Sequence, residues 1–277
     1  MENLYDALLS LRRIPNAYEN WRDYRASLTA YITRQAPPGA TAVLVGAGEC
    51  NDLDLRRLAA HFSQLTLLDL NTDAMREGLK RQDADSAKIR LVEADLLGVT
   101  PDIYRETADT LLEALKTSLR VGGARPDAFA DLFLARMEQA MSHRRPAELD
   151  KLGIPADYVV CCGVHSQLLA IFPQMLRVYR RYLDFDPVPV LRRISELNGA
   201  IASECTAQLL ALAGHGLFLG LEEQRVGVEG GVEGAAQAIA DVARRGIPVL
   251  SETRLLWPFD PQKEKAYQMR ILLLPAG

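Results

Sequence analysis

The sequence predicts an α/β protein built on a doubly wound, mostly parallel seven-stranded sheet, with N-terminal helices, a helical insertion and a C-terminal antiparallel hairpin. Three observations predict it. From residue 41 onward, short apolar runs alternate with stretches of helical periodicity, the pattern of a parallel sheet covered on both faces. One apolar run opens into Gly46-Ala47-Gly48, and the next, Leu65-Thr66-Leu67-Leu68-Asp69, ends in a single carboxylate. The last two apolar runs are joined by Trp257-Pro258-Phe259-Asp260-Pro261 and a short polar stretch with no helical pattern, so they must pair antiparallel.

Taken in order, Leu4, Leu8 and Leu11, then Trp21, Tyr24, Leu28 and Ile32, recur at helical spacing across residues 1–35. Pro15 separates two helices, and Pro37-Pro38-Gly39 ends the region. Strands follow at 42–45, 65–70, 89–93 and 158–162, with helices at 53–62 and 72–81 between the first three. About 60 residues separate the third and fourth strands, far more than the 10–15 of an ordinary crossover helix. Residues 101–119 and 126–141 read as helices joined by Gly122-Gly123, so this is taken as a separable insertion that governs the choice of substrate. Leu169, Phe172, Leu176, Tyr179 and Leu183 predict a helix over 166–183 with Pro173 at a kink. A helix at 190–213, a strand at 216–221, a helix at 235–245 and strands at 248–256 and 269–274 complete the chain, with Gly227–Gly234 expected to form a mobile loop.

Composition narrows the function. The 277 residues are 48% hydrophobic and 25% charged, as in a soluble globular protein. A net charge of −4 gives no electrostatic reason to expect a phosphate backbone as partner. The short basic clusters His143-Arg144-Arg145 and Arg177 with Arg180-Arg181 read as solvated helix faces. No apolar run approaches the roughly 20 residues of a membrane span, and no secretory leader is evident. Cys50, Cys161, Cys162 and Cys205 fit neither a disulfide framework nor a zinc site, and the histidines show no ligand spacing. The expectation is a cytoplasmic protein with no metal and no membrane partner.

The glycines and carboxylates carry the chemistry. Gly46 and Gly48 let the backbone turn sharply and approach a ligand closely. Asp69, at a strand tip, can accept two hydrogen bonds from a ribose diol. Asp95, with Leu96, follows the third strand in the same way. His165 stands at the turn after the fourth strand, where a neutral imidazole can take a proton from a nucleophile, or simply make a structural hydrogen bond. Cys161 and Cys162 read as buried thiols at a strand end.

In this order the elements resemble the class I S-adenosylmethionine-dependent methyltransferases, over roughly residues 40–97, 157–183 and 214–277. The resemblance divides the chain into a helical cap (1–39) and a Rossmann-like domain (40–277) carrying the insertion at about 98–156. It implies that Gly46, Ala47, Gly48 and Glu49 lie under the methionine part of the cofactor and that Asp69, beside Leu70, binds the ribose. Asp95 and Leu96 are then set at the adenine, and Cys162 flanks the transferred methyl. Arg25, on an N-terminal helix, is placed to meet the cofactor's carboxylate. Two positions depart from the family pattern: Leu44 where an acidic residue is usual, and Cys50 where a third glycine is usual, with Glu49, Asp52 or Asp54 available for the cofactor's ammonium.

The resemblance implies an enzyme that uses S-adenosyl-L-methionine for in-line methyl transfer to a small molecule or peptide, nucleic acid not being the expected partner. The alternatives are an aminopropyl or aminocarboxypropyl transferase on the same fold, a scaffold whose cofactor site has decayed, and a nicotinamide oxidoreductase. For the last, the sixth place of G-x-G-x-x-G is Asn51 instead of glycine or alanine, and Glu49 and Asp52 would repel a pyrophosphate. The acceptor and the oligomeric state are not fixed by the sequence.

Overall fold

The computed structural model of the chain describes residues 3–10, 14–120, 126–154 and 156–277; Leu11 and Gly122-Gly123 lie outside them. The aliphatic runs pair into one sheet of β1 (Thr41–Val45), β2 (Gln64–Asp69), β3 (Ile89–Glu93), β4 (Tyr158–Cys162), β5 (Gly216–Arg225), β6 (Ser251–Asp260) and β7 (Lys265–Pro275). Their order is β3-β2-β1-β4-β5-β7-β6. The first five in this order are parallel, while β7 runs antiparallel to β5 and pairs with β6 as a hairpin. Order reverses between β1 and β4, so the loops leaving these two strands diverge; that is where open α/β sheets place ligands.

The fold has the predicted class, and most elements differ from expectation by one or two residues. Three differences have physical causes. β5, β6 and β7 run several residues further than their apolar cores, because β5 pairs with β7 as far as Arg225↔Tyr267, and β6 and β7 pair through Trp257 and again at Asp260↔Lys265, with a register shift between. Pro258 is tolerated because β6 is the sheet edge, where a missing N–H costs no ladder bond. The helix expected over 166–183 is a short 3₁₀ turn, His165–Gln167, followed by α8 (Ile171–Tyr179). Pro173 falls in the first turn of α8, where N–H groups have no intrahelical partner anyway, so it makes no kink there.

The chain forms two compact units, each with its own core. The first comprises Met1–Arg13, Leu97–Ala147 and Gln167–Ile201. It contains α1 (Leu4–Ser10), α6 (Pro101–Arg120), α7 (Pro126–Ser142), α8 and the first half of α9 (Val188–Leu212). Its buried residues include Leu111, Phe133, Phe172, Met175 and Val190. The Tyr179 hydroxyl donates to the carbonyl of Ala108 at 3.0 Å, and Arg105 on α6 pairs with Asp6 on α1. The inserted helices therefore share one core with α1, α8 and α9. The expectation of a separable insertion is corrected: excising it would strip the apolar faces of those helices.

The second unit comprises Ile14–Leu96, Glu148–Ser166 and Ala202–Gly277. It holds the whole sheet, α2 (Ala17–Asn20), α3 (Arg22–Gln35), α4 (Leu55–His61), α5 (Thr72–Gln82) and α10 (Ala235–Arg244). Leu28 and Ile32 of α3, Leu55 and Leu58 of α4, and Leu44, Leu65 and Leu67 of the sheet are fully buried in its core. The helix starts follow from side-chain caps: Asp54 accepts from the N–H of Arg57, and Asn71 from that of Ala74. No described helix is long and apolar enough to cross a membrane.

Candidate active site

The carboxyl ends of β1, β2, β3 and β4 lie in the second unit and hold nearly all the residues the sequence singles out, with Arg25 on α3. The β1 loop turns at Gly46 (φ 72°) and Gly48 (φ 48°). The two glycines serve different purposes. A Cβ on Gly46 would overlap Cγ2 of Val164, so the position is small because the β4 loop packs on it. A Cβ on Gly48 would meet nothing within 4 Å, so this is the open face of the turn. Cys50 takes the left-handed conformation at φ 50° without being glycine, at a cost of about 1–2 kcal/mol.

The loop that follows is tied down by buried polar groups. The amide nitrogen of Gln82, on α5, donates to the carbonyls of Cys50 and Leu53 at 2.8 and 3.0 Å, and its oxygen accepts from Leu55 N–H. Arg25, buried on α3, donates to the carbonyls of Tyr18 (2.6 Å) and Asn51 (2.8 Å) and stacks on the Tyr18 ring at 3.7 Å. Its observed work is to clamp the loop. Glu49 pairs with Arg81 at 2.6 Å. Ala47 is buried, its N–H directed to Leu68 O.

Asp69 is half-buried at the tip of β2. Its Oδ2 accepts from Gly48 N–H at 2.8 Å and its Oδ1 from Asn71 N–H at 2.9 Å. The carboxylate, which also accepts from Leu70 N–H, thus locks the glycine turn to its own strand end, and the four acceptor positions of a carboxylate leave room for an incoming hydroxyl. Burial raises its pKa, with the neighbouring Asp95 adding to the rise. Asp95, two residues beyond the end of β3, is thus near enough to act on Asp69. Leu70 beside it is 64% exposed, an apolar surface next to the diol position, and Leu96 is half-buried.

The β4 end holds surprises. Cys161 is buried and Cys162 half-buried; both thiols are free, and burial holds their pKa well above the usual thiol value. His165 is only 1% exposed. Its Nε2 lies 3.2 Å from Thr206 Oγ1, while Nδ1 has no partner among the described residues. Burial pushes its pKa down to about 4, opposed in part by Asp241. The imidazole is therefore neutral at physiological pH, and the ordinary titration near 6.5 assumed for a surface histidine does not hold for it.

Sequence reasoning missed Glu222. It ends the apolar run of β5, the same signal that marks Asp69 on β2, and it is 3% exposed. Its Oε1 accepts from Ser166 Oγ at 2.7 Å. Trp257 and Tyr24 stack beside it at 5.5 Å between ring centroids. Asp52, on the β1 loop, has a pKa raised by burial to about 6, with Arg25 pulling the other way. Among the described residues there is no group of three or more His, Cys, Asp or Glu placed to hold a metal ion.

The strand order, the turn at Gly48 and the carboxylate at the tip of β2 define a Rossmann-like α/β protein. No protein-family model matches the chain, and no curated protein matches it by sequence. Solved structures of similar fold do. One is a candidate RNA methyltransferase from Pyrococcus horikoshii, at 10% identity and a TM-score of 0.46, covering 99% of this chain and 96% of that one. Another is a candidate tRNA (m1A22) methyltransferase from Streptococcus pneumoniae in complex with S-adenosyl-L-methionine, at 9% identity and a TM-score of 0.40, covering 91% and 72%. A third is precorrin 8W decarboxylase from Methanobacterium thermoautotrophicum, at 16% and 0.37, covering 91% and 89%. Because similar structures include RNA and tRNA methyltransferases, the expectation that nucleic acid is not a partner is withdrawn.

Proposed function

We propose that the protein is an S-adenosylmethionine-dependent methyltransferase. The observation that carries this reading is the Gly48–Asp69 arrangement. A strand-tip carboxylate holds the open glycine turn through a 2.8 Å hydrogen bond and still has room for an incoming hydroxyl, with Asp95 just beyond the neighbouring strand end. The residues present fit the cofactor's nucleoside: Asp69 for the ribose hydroxyls, exposed Leu70 and half-buried Leu96 for the base, and the unobstructed face of Gly48 for close backbone approach.

When bound, S-adenosylmethionine supplies an electrophilic methyl group on a sulfonium. The chain's own work is then to hold, align and exclude water, which is most of what an in-line displacement needs. Asp69 orients the ribose, and Gln82 and Arg25 fix the loop that carries Gly48 and Asp52. His165, buried and neutral, supports the β4 turn through Thr206. The test is incubation with methyl-labelled cofactor and a panel of small molecules, peptides and RNA, read by mass spectrometry. Label in any acceptor class, lost in Asp69→Ala, supports the reading. A folded protein that labels nothing and binds no cofactor overturns it.

A further inference from the structure

Three buried polar atoms at the C-terminal end of β4 and β5 have no partner among the described residues: Glu222 Oε2, Tyr24 Oη and Trp257 Nε1. Their side chains are 3, 3 and 5% exposed. Leaving such groups unmet costs about 1–3 kcal/mol each, so three in one place call for an explanation. They do lie in one place. The Tyr24 and Trp257 rings stack at 5.5 Å. A Cβ on Gly163 would sit 3.3 Å from the Trp257 ring and 3.6 Å from Glu222 Oε1, so both close over the same glycine. Asp52, Glu222 and Cys162 all act electrostatically on the Tyr24 hydroxyl.

The ionisable side chains closest to the two rings are acids, Asp52 and Glu222, and burial raises the pKa of both. Arg25 is committed to the carbonyls of Tyr18 and Asn51 and to the Tyr18 ring. Lys265 acts on Glu222 but sits over the Phe259 and Tyr267 rings, at 4.7 and 5.2 Å from their centroids. An unmet acceptor oxygen between aromatic faces and acidic groups suits a group that brings N–H donors and positive charge: it meets Glu222 Oε2 and can donate to Tyr24 Oη, while Trp257 Nε1, a donor only, is not met by it.

We propose that Glu222, anchored by Ser166 and flanked by Asp52, Tyr24 and Trp257, binds a protonated amine, and that the substrate of this protein presents such a nitrogen. The inference deepens the methyltransferase reading and rests on it only for the word substrate; the amine site stands on its own geometry. The free oxygen of Glu222 takes one N–H, the carboxylate of Asp52 supplies the second charge, and the Trp257 ring covers the ammonium.

The probe is n-butylammonium chloride, titrated into the ¹⁵N-labelled full chain with butyrate as the matched anion. The chain has two tryptophans, so the indole N–H signal of Trp257 is assigned with a Trp21→Phe variant. Butylammonium should shift the Trp257 signal saturably and butyrate should not. Glu222→Gln, which keeps an acceptor for Ser166, should weaken amine binding at least tenfold. Ser166→Ala, which frees the anchor without touching the charge, should weaken it less. Binding of S-adenosylhomocysteine, measured by calorimetry, should be unchanged in Glu222→Gln. Equal response to butyrate, or unaltered amine binding in a folded Glu222→Gln protein, overturns the proposal. An equal loss of S-adenosylhomocysteine affinity in that variant also overturns it, by assigning the group to the cofactor's own amino end. If the wild type fails to bind S-adenosylhomocysteine but binds the amine, the methyltransferase reading falls and the amine site stands.

Discussion

The sharpest consequence of the fold concerns acid. His165 is buried with its Nε2 against Thr206, and its pKa lies at about 4 instead of near 6.5. An unfolded chain therefore binds a proton there that the folded one refuses. The stability contributed by neutral His165 is complete above about pH 6.5 and is lost as the pH falls toward 4. From these two values, the loss is about 2 kcal/mol at pH 5 and about 3 kcal/mol once both states are protonated. His165→Gln keeps an amide for Thr206 and removes the titration. Urea unfolding of both proteins at pH 7.5, 6 and 5 checks this. The wild type should lose about 2 kcal/mol more than the variant between pH 7.5 and 5. Parallel curves, or an imidazole signal titrating near 6.5 in the folded protein, would refute the burial argument. The same burial predicts that turnover shows no limb near pH 6.5 from this residue.

Other expectations follow the same reasoning. Asp52 titrates at about 6 because it is desolvated, so the stability of its protonated form is complete below about pH 4 and lost as the pH rises through 6; Asp52→Asn should match the wild type at pH 4 and exceed its melting temperature at pH 7.5. Gly46→Val pits a branched side chain against Val164 at a positive φ and should cost about 3 kcal/mol of stability in chemical denaturation. Gly48→Ala meets open space and should cost only about 1 kcal/mol while weakening cofactor binding in calorimetry, which separates the packing glycine from the ligand-facing one.

What the sequence makes legible is periodicity and punctuation. The seven strands, the hairpin and the two inserted helices are visible because alternation and helical spacing are local properties. The Asp69 and Asp95 positions are visible because a carboxylate ending an apolar run is a local signal. The same signal stands at Glu222, and it goes unread because the resemblance implies roles only at the ends of the first four strands. The hidden parts are those settled by distant residues. Gly46 looks like a ligand glycine but is set by Val164, more than a hundred residues on. Arg25 looks like a ligand cation but meets the carbonyl of Asn51. The inserted helices look detachable because their partners, α1 and α8, lie on either side of them in sequence.

The central claim is that the open turn at Gly48 and the carboxylate of Asp69 form a nucleoside site for S-adenosylmethionine. Calorimetric titration of S-adenosylhomocysteine into the wild type and into Asp69→Ala tests it directly. Losing the two ribose hydrogen bonds should cost about 2–3 kcal/mol, a roughly 30–150-fold rise in Kd. Because Asp69 also holds Gly48 and Asn71, the variant's fold is checked by near-ultraviolet circular dichroism at the same temperature. Micromolar binding to the wild type with that loss in the folded variant is the predicted result. Absence of binding to the wild type, or equal affinity in a folded Asp69→Ala protein, would contradict the account.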